Sequence, residues 1–227
     1  MININNVSYK YKNRDEVLKN INLEIKEGEF VVVVGKNGSG KSTFGKLASG
    51  LIVPKTGEVL IDNISTFSKK DELEIRKKVG IVFQNPENQL VFNSIEDEFS
   101  FTLKNLEKED ELVNIDEVLK QVGMETHKSE DIYELSMGQK QRVAIAEVLS
   151  FKPKYIVFDE PTTMLDTKGK EDVYNIVGEL KDKGYTIIYI TNVADEILLA
   201  DTIVILDNGE LVKKIEKKDL MRKYRFA

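Results

Sequence analysis

Cysteine is absent from the 227 residues. That excludes a disulfide framework, a thiolate metal site and a cysteine nucleophile, and it fits a reducing compartment. Histidine occurs once, at His127. A metal site built here must therefore rely on carboxylate and carbonyl oxygens. His127 stands in the polar stretch Glu125-Thr126-His127-Lys128-Ser129 and reads as a solvated loop residue. Long apolar runs are also missing. Phe30 to Val34 is among the longest, far short of the roughly 20 residues that cross a bilayer, so partners would have to supply any spanning helices. The opening Met-Ile-Asn-Ile-Asn-Asn lacks a cationic start before an apolar core and does not read as a signal peptide. An excess of basic charge is lacking too. Lys plus Arg number 33 against 39 Asp plus Glu, a net charge of −6, which argues against a nucleic-acid partner. Neither an internal repeat nor a low-complexity linker interrupts the chain, whose length suits one large domain or one domain with an insertion.

The residues that are present alternate between two patterns. Phe30–Val34, Ile81–Phe83, Tyr155–Phe158 and Thr186–Ile190 are short β-branched or aromatic runs without polar alternation. Strands of that kind are covered on both faces, as in a parallel sheet flanked by helices. Phe44, Leu47, Ala48 and Leu51 share one helical face, as do Val173, Ile176, Val177 and Leu180. The alternation predicts an α/β fold. Residues from about 3 to 29 and 57 to 62 alternate in a way that suits an antiparallel sheet. The charged segment from about 85 to 150 reads as a mostly helical insertion. Asp207-Asn208-Gly209 between apolar runs predicts a hairpin, because Asn and Gly tolerate positive φ.

Gly35-Lys36-Asn37-Gly38-Ser39-Gly40-Lys41-Ser42 matches G-x-x-x-x-G-K-[ST] between a buried strand and a helix. Such glycines permit a tight loop whose N–H groups form an anion nest, and the helix N-terminus adds partial positive charge. Lys41 suits the β- and γ-phosphates of a nucleotide, and the Ser42 hydroxyl suits Mg2+. Downstream, the run Tyr155–Phe158 delivers Asp159 and Glu160 to its C-terminal end, where open α/β sheets bind ligands. Asp159 is expected to hold Mg2+, and Glu160 to polarise an attacking water.

Leu135-Ser136-Met137-Gly138-Gln139 opens a helix ahead of that strand. Here the chain resembles the ATP-binding-cassette (ABC) ATPases, whose signature is L-S-G-G-Q. The resemblance covers nearly the whole chain in the family's order. It implies a P-loop fold with an antiparallel β subdomain and a helical insertion subdomain at about 85–150, all within a single domain spanning 1–227. By the same resemblance Tyr11 stacks on adenine, Gly35–Ser42 with Thr43 is the Walker A segment, and Gln84 is the Q-loop glutamine that touches Mg2+ and the reaction centre. Ser136, Gly138 and Gln139 are the signature that closes on a partner's ATP, Asp159-Glu160 is the Walker B end, and Leu165-Asp166 is the D-loop. A head-to-tail dimer is implied, homomeric or heteromeric.

Gln84-Asn85-Pro86-Glu87-Asn88-Gln89 and Thr163-Met164-Leu165-Asp166 resemble the corresponding runs of energy-coupling-factor (ECF) transporter ATPases. That implies a subunit at the cytoplasmic face of a membrane, docked on a scaffold protein that carries a substrate-binding membrane protein for a vitamin or metal ion. Two positions depart from the pattern. Met137 replaces the first signature glycine, where its side chain could crowd the approach to phosphate. Asn192 stands where the family has its switch histidine; it reads as a degenerate switch residue that weakens hydrolysis, or as a helix N-cap. These departures keep open a nucleotide-binding subunit with little hydrolysis of its own. A soluble ABC ATPase is the other alternative. Phe92, Phe99 and Phe101 read as core packing or as a groove for a membrane partner's helix, and the basic run from Lys213 to Arg225 as a solvated helix face.

Overall fold

The computed structural model describes residues 1–108 and 114–217. Strands β1 (Ile2–Lys10), β2 (Glu16–Ile25) and β3 (Phe30–Val34) precede helix α1 (Lys41–Ala48). Then come β4 (Thr56–Ile61), β5 (Ile64–Ser65), α2 (Glu72–Lys78) and β6 (Val79–Val82). The insertion supplies α3 (Ile95–Asn105), α4 (Ile115–Gln121) and α5 (Met137–Ser150). The chain continues through β7 (Tyr155–Asp159), α6 (Thr167–Asp182), β8 (Thr186–Ile190), β9 (Thr202–Asp207) and β10 (Glu210–Glu216).

Two sheets form. One is antiparallel, in the order β2-β1-β4-β5; the other runs β10-β9-β3-β8-β7-β6. Strands β9, β3, β8, β7 and β6 pair in parallel, and β10 adds an antiparallel edge. Successive strand residues point to opposite faces. Val31, Val33, Tyr155, Val157, Ile188 and Ile190 accordingly join a core shared with α1 and the antiparallel sheet. Phe30, Val32, Ile156, Phe158, Ile187 and Tyr189 join a second core with α3, α4, α5 and α6. Both faces are covered, which is why these strands show no polar alternation. The helical insertion packs its apolar side into the same core as the sheet.

Local chemistry sets the helix ends. Ser94, Asn114, Ser136 and Asp166 each cap the helix that follows, accepting a hydrogen bond from a first-turn amide. The Asn208-Gly209 turn has φ of 48° and 82° and joins β9 to β10, as expected. Leu51 does not share the α1 face. The helix stops at Ala48, the amides of Ser49, Gly50 and Ile52 bond back to its last carbonyls, and Gly50 turns the chain at φ 73°, leaving Leu51 49% exposed. The basic run is corrected in part: Lys213 and Lys214 lie on strand β10, not on a helix, while residues 218–227 fall outside the described residues. The three phenylalanines divide. Phe99 is fully buried, whereas Phe92 and the exposed Phe101 pack ring to ring at 5.1 Å near the surface.

Candidate functional site

The phosphate loop leaves the sheet at Val34 and enters α1 at Lys41. A Cβ on Gly35 would stand 2.2 Å from the Leu206 carbonyl oxygen, and Gly40, at φ 100°, faces Leu18 at 2.7 Å. Only glycine fits either place. Lys41 is buried. Its ammonium donates to the carbonyls of Gly35 at 2.8 Å and Lys36 at 3.3 Å, and lies 3.5 Å from the Glu160 carboxylate. Ser39 Oγ, buried in the same loop, has no hydrogen-bond partner among the described residues.

β7 and β8 bring the acids to this loop. Asp159 ends β7, is 6% exposed, and its Oδ1 accepts from Ser42 Oγ at 2.9 Å. Burial raises its carboxyl above the ordinary range and neighbouring Glu160 adds to the rise, while the Ser42 hydrogen bond and the charges of Lys46 and Lys41 oppose it. Glu160 follows at φ 50°, held by its amide on the Ile190 carbonyl. Its carboxylate is a point of convergence: Gln84 and Thr163 approach one oxygen, both at 3.5 Å, and Asn192 Nδ2 donates to the other at 3.3 Å. Asn192 Nδ2 also donates to Asn37 Oδ1 at 3.0 Å. Asn192 is not a helix N-cap. The next helical turn, Asp195–Leu199, opens at Ala194 without side-chain capping.

A cavity of about 530 Å³ runs along this group, lined by the phosphate loop, Thr43, Gln84, Glu160, Tyr11, Arg14 and Val17. The Tyr11 hydroxyl lies 3.2 Å from Thr43 Oγ1, and its ring meets Tyr9 edge-on. Arg14 and Val17 were not anticipated. The signal was positional: Arg14 falls between β1 and β2 just after the expected aromatic, and Val17 is the second residue of β2.

A hard cation is held by oxygen donors. Ser42 Oγ and the Asp159 carboxylate supply them side by side, and a cation there would relieve the cost of burying the aspartate charge. Among the described residues no group of three His, Asp or Glu could hold a metal, so a bound Mg2+ would share its coordination with nucleotide and water.

Ser136, Gly138 and Gln139 do not line this cavity. They sit at the start of α5, where a reciprocal capping box forms: Gln139 N donates to Ser136 Oγ at 3.3 Å, and Ser136 N to Gln139 Oε1 at 2.8 Å. The amides of Met137 and Gly138 have no carbonyl within the helix to bond. The Met137 side chain is half-buried and packs against the second core. His127 is not a solvated loop residue. It lies half-buried on a 3-10 turn with Nε2 2.8 Å from Gln139 Nε2. Leu165 is buried and Asp166 caps α6, beside which Gly138 and Gly169 make close backbone contact.

A phosphate loop, a capped signature loop and an acid pair at a strand end follow one another within residues 18–163, which match the ABC transporter family. The chain belongs to that family. Among its relatives are two energy-coupling factor transporter ATP-binding proteins named EcfA1. That of Mycoplasmopsis synoviae is 46% identical, over 97% of this chain and 85% of the relative. That of Fusobacterium nucleatum is 45% identical, over 93% and 80%. Among solved structures, cbiO1 of Clostridium perfringens, part of the ABC transporter complex cbiONQ, superposes with a TM-score of 0.85 at 35% identity, over 99% of this chain and 92% of that one. The cassette MJ0796, solved as a post-hydrolysis dimer with ADP and phosphate, superposes with a TM-score of 0.82 at 32% identity, over 95% and 98%. The fold is thus that of an ABC ATPase, α/β with its antiparallel sheet and helices. No helix among the described residues is long and apolar enough to cross a membrane.

Proposed function

We propose that this single-domain ABC ATPase binds and hydrolyses ATP as a peripheral subunit, on the cytoplasmic face, of an ECF-type importer for a vitamin or metal ion. The observation that carries the reading is the convergence of Lys41, Gln84 and Asn192 on Glu160 beside the phosphate loop and the Ser42–Asp159 pair. The names of the relatives support the transport role.

Lys41 now bonds to the loop's own carbonyls, and we assign it to the β- and γ-phosphates once ATP enters. Tyr11 offers its ring to adenine, with Arg14 and Val17 alongside. Ser42, Asp159 and Gln84 are the candidates to hold Mg2+, which supplies charge neutralisation on the phosphates. Glu160 accepts a hydrogen bond from the attacking water. The water oxygen bonds to the γ-phosphorus, the bond to the β-phosphate oxygen breaks, and the proton leaves through Glu160 to phosphate, giving ADP and phosphate. Asn192 holds Glu160 and Asn37 and can donate its amide to the γ-phosphate.

The signature lies off this cavity. A second ATPase subunit is therefore assigned to close each site, its Ser136-type hydroxyl and helix-start amides meeting the γ-phosphate. A membrane scaffold and a substrate-binding membrane protein complete the assembly. One observation favours a second reading, a nucleotide-binding subunit with weak hydrolysis: Asn192 contributes an uncharged amide where the family has an imidazole. Purification from membranes separates these readings from a soluble ATPase. Co-purification of a polytopic protein, with ATP turnover lost in Glu160→Gln, is the expected result. A chain that elutes alone and hydrolyses ATP at full rate would refute the transport role.

A further inference from the structure

The sole histidine meets the signature loop at Gln139. We propose that His127 is a positioning residue: its neutral imidazole accepts a hydrogen bond from Gln139 and thereby fixes the capping box that presents Ser136 and the first amides of α5. This rests on the ATPase reading above only for its consequence on turnover.

The donors and acceptors leave one consistent arrangement. Ser136 N donates to Gln139 Oε1, so the Gln139 amide nitrogen faces His127, 2.8 Å from Nε2. That nitrogen can only donate, so His127 Nε2 carries no proton. The ring proton then sits on Nδ1, which lies 3.0 Å from Thr126 Oγ1 and donates to it. Protonated imidazole has two N–H donors and no acceptor. Its Nε2–H would oppose the Gln139 amide. Turning that amide over does not help, because its nitrogen would then face the Ser136 N–H. With a protonated ring one hydrogen bond must be lost whichever way Gln139 turns: its contact to His127, or its bond to Ser136 N in the capping box.

The charged groups nearby are already engaged or on the same turn. Lys128 is held by Asp116 of α4 at 2.9 Å and Glu96 of α3 at 3.4 Å. Lys140 of α5 is held by Glu87 at 2.7 Å. Glu125 lies on the turn itself, and Glu130 returns its amide to the His127 carbonyl. Gln139 is the side chain of α5 that meets the ring.

Two measurements on the full-length chain test this. In the first, the Ser136 backbone amide and the Gln139 side-chain amide are followed by NMR from pH 8 to pH 5.5. They should shift together with the His127 ring, and the shift should vanish in His127→Gln, whose carbonyl accepts without titrating. In the second, ATP turnover of the assembled dimer is compared across the same range. The ratio of His127→Gln to wild type should rise about threefold to tenfold as pH falls, the weight of one neutral hydrogen bond. His127→Phe, which cannot accept, should lower kcat by a similar factor at pH 8 with little change in KM for ATP. Amide signals that ignore the ring, or that titrate equally in His127→Gln, overturn the proposal. Signals that follow the ring in a chain inactive at every pH uphold the contact and refute the ATPase reading instead.

Discussion

Replacing Glu147 by glutamine should stabilise the chain above neutral pH and do little near pH 4.5. Glu147 lies on α5, only 8% exposed. Thr102 of α3 donates to it at 2.5 Å and Gln89 Nε2 at 2.9 Å, and the side-chain Oε1 of Gln89 accepts from Phe83 N, next to Gln84. Burial pushes the carboxyl from its ordinary 4.5 up to about 7; the two hydrogen bonds oppose the rise and the charge of Glu98 adds to it. Below pH 4.5 the group is protonated in folded and unfolded chains alike. Between 4.5 and 7 the folded chain keeps a proton that the unfolded chain releases, so stability falls as pH rises. Above 7 the full cost is present, about 3 kcal/mol for that gap. Glutamine removes the charge and keeps the partners, its carbonyl accepting from Gln89 and its amide donating to Thr102, whose hydroxyl can turn to accept. Urea unfolding of both proteins at pH 5 and pH 8 should show the advantage of Glu147→Gln growing by about 2 kcal/mol between the two. An advantage of the same size at both values would refute the reasoning, since it would mean that the carboxyl ionises without cost in the folded chain.

The remaining predictions concern the nucleotide site. Lys41→Ala removes the one buried ammonium of the phosphate loop and should weaken ATP binding by roughly a hundredfold, as expected for a charge-assisted contact of about 3 kcal/mol; unchanged affinity by calorimetry would count against the loop assignment. Glu160→Gln keeps the shape of the group on which Gln84 and Asn192 converge but removes its basicity, so binding should survive, turnover should fall, and an ATP-bound dimer should accumulate on gel filtration. Asn192→His places a longer, protonatable side chain beside Glu160 and should raise turnover about tenfold, or ~1.4 kcal/mol of barrier, with ATP affinity nearly unchanged. Equal or lower turnover in that variant, alone and combined with Met137→Gly, would show that Asn192 is not a weakened switch residue.

Whatever depends on neighbours in the chain was legible in the sequence. The phosphate loop and the Asn208-Gly209 hairpin are set by the φ preferences of a few successive residues, so they could be read without a fold. The buried strands were legible for a related reason: a run such as Phe30–Val34 must be covered on both faces wherever it ends up. Other outcomes were decided only when distant segments met. Phe99 and Phe101 differ by two residues in an identical aromatic pattern, yet one is core and the other exposed, because the turn of α3 aims only the first at the sheet. Asn192 suited a helix cap by its type, but 32 residues separate it from Glu160, and the pairing of β7 with β8 is what joins them. His127 stood in a polar stretch with every mark of a solvated loop. Its meeting with Gln139 depends on the way the 3-10 turn folds back against the start of α5, and a hydrogen bond needs its two atoms within about 3 Å, which no spacing along the chain specifies.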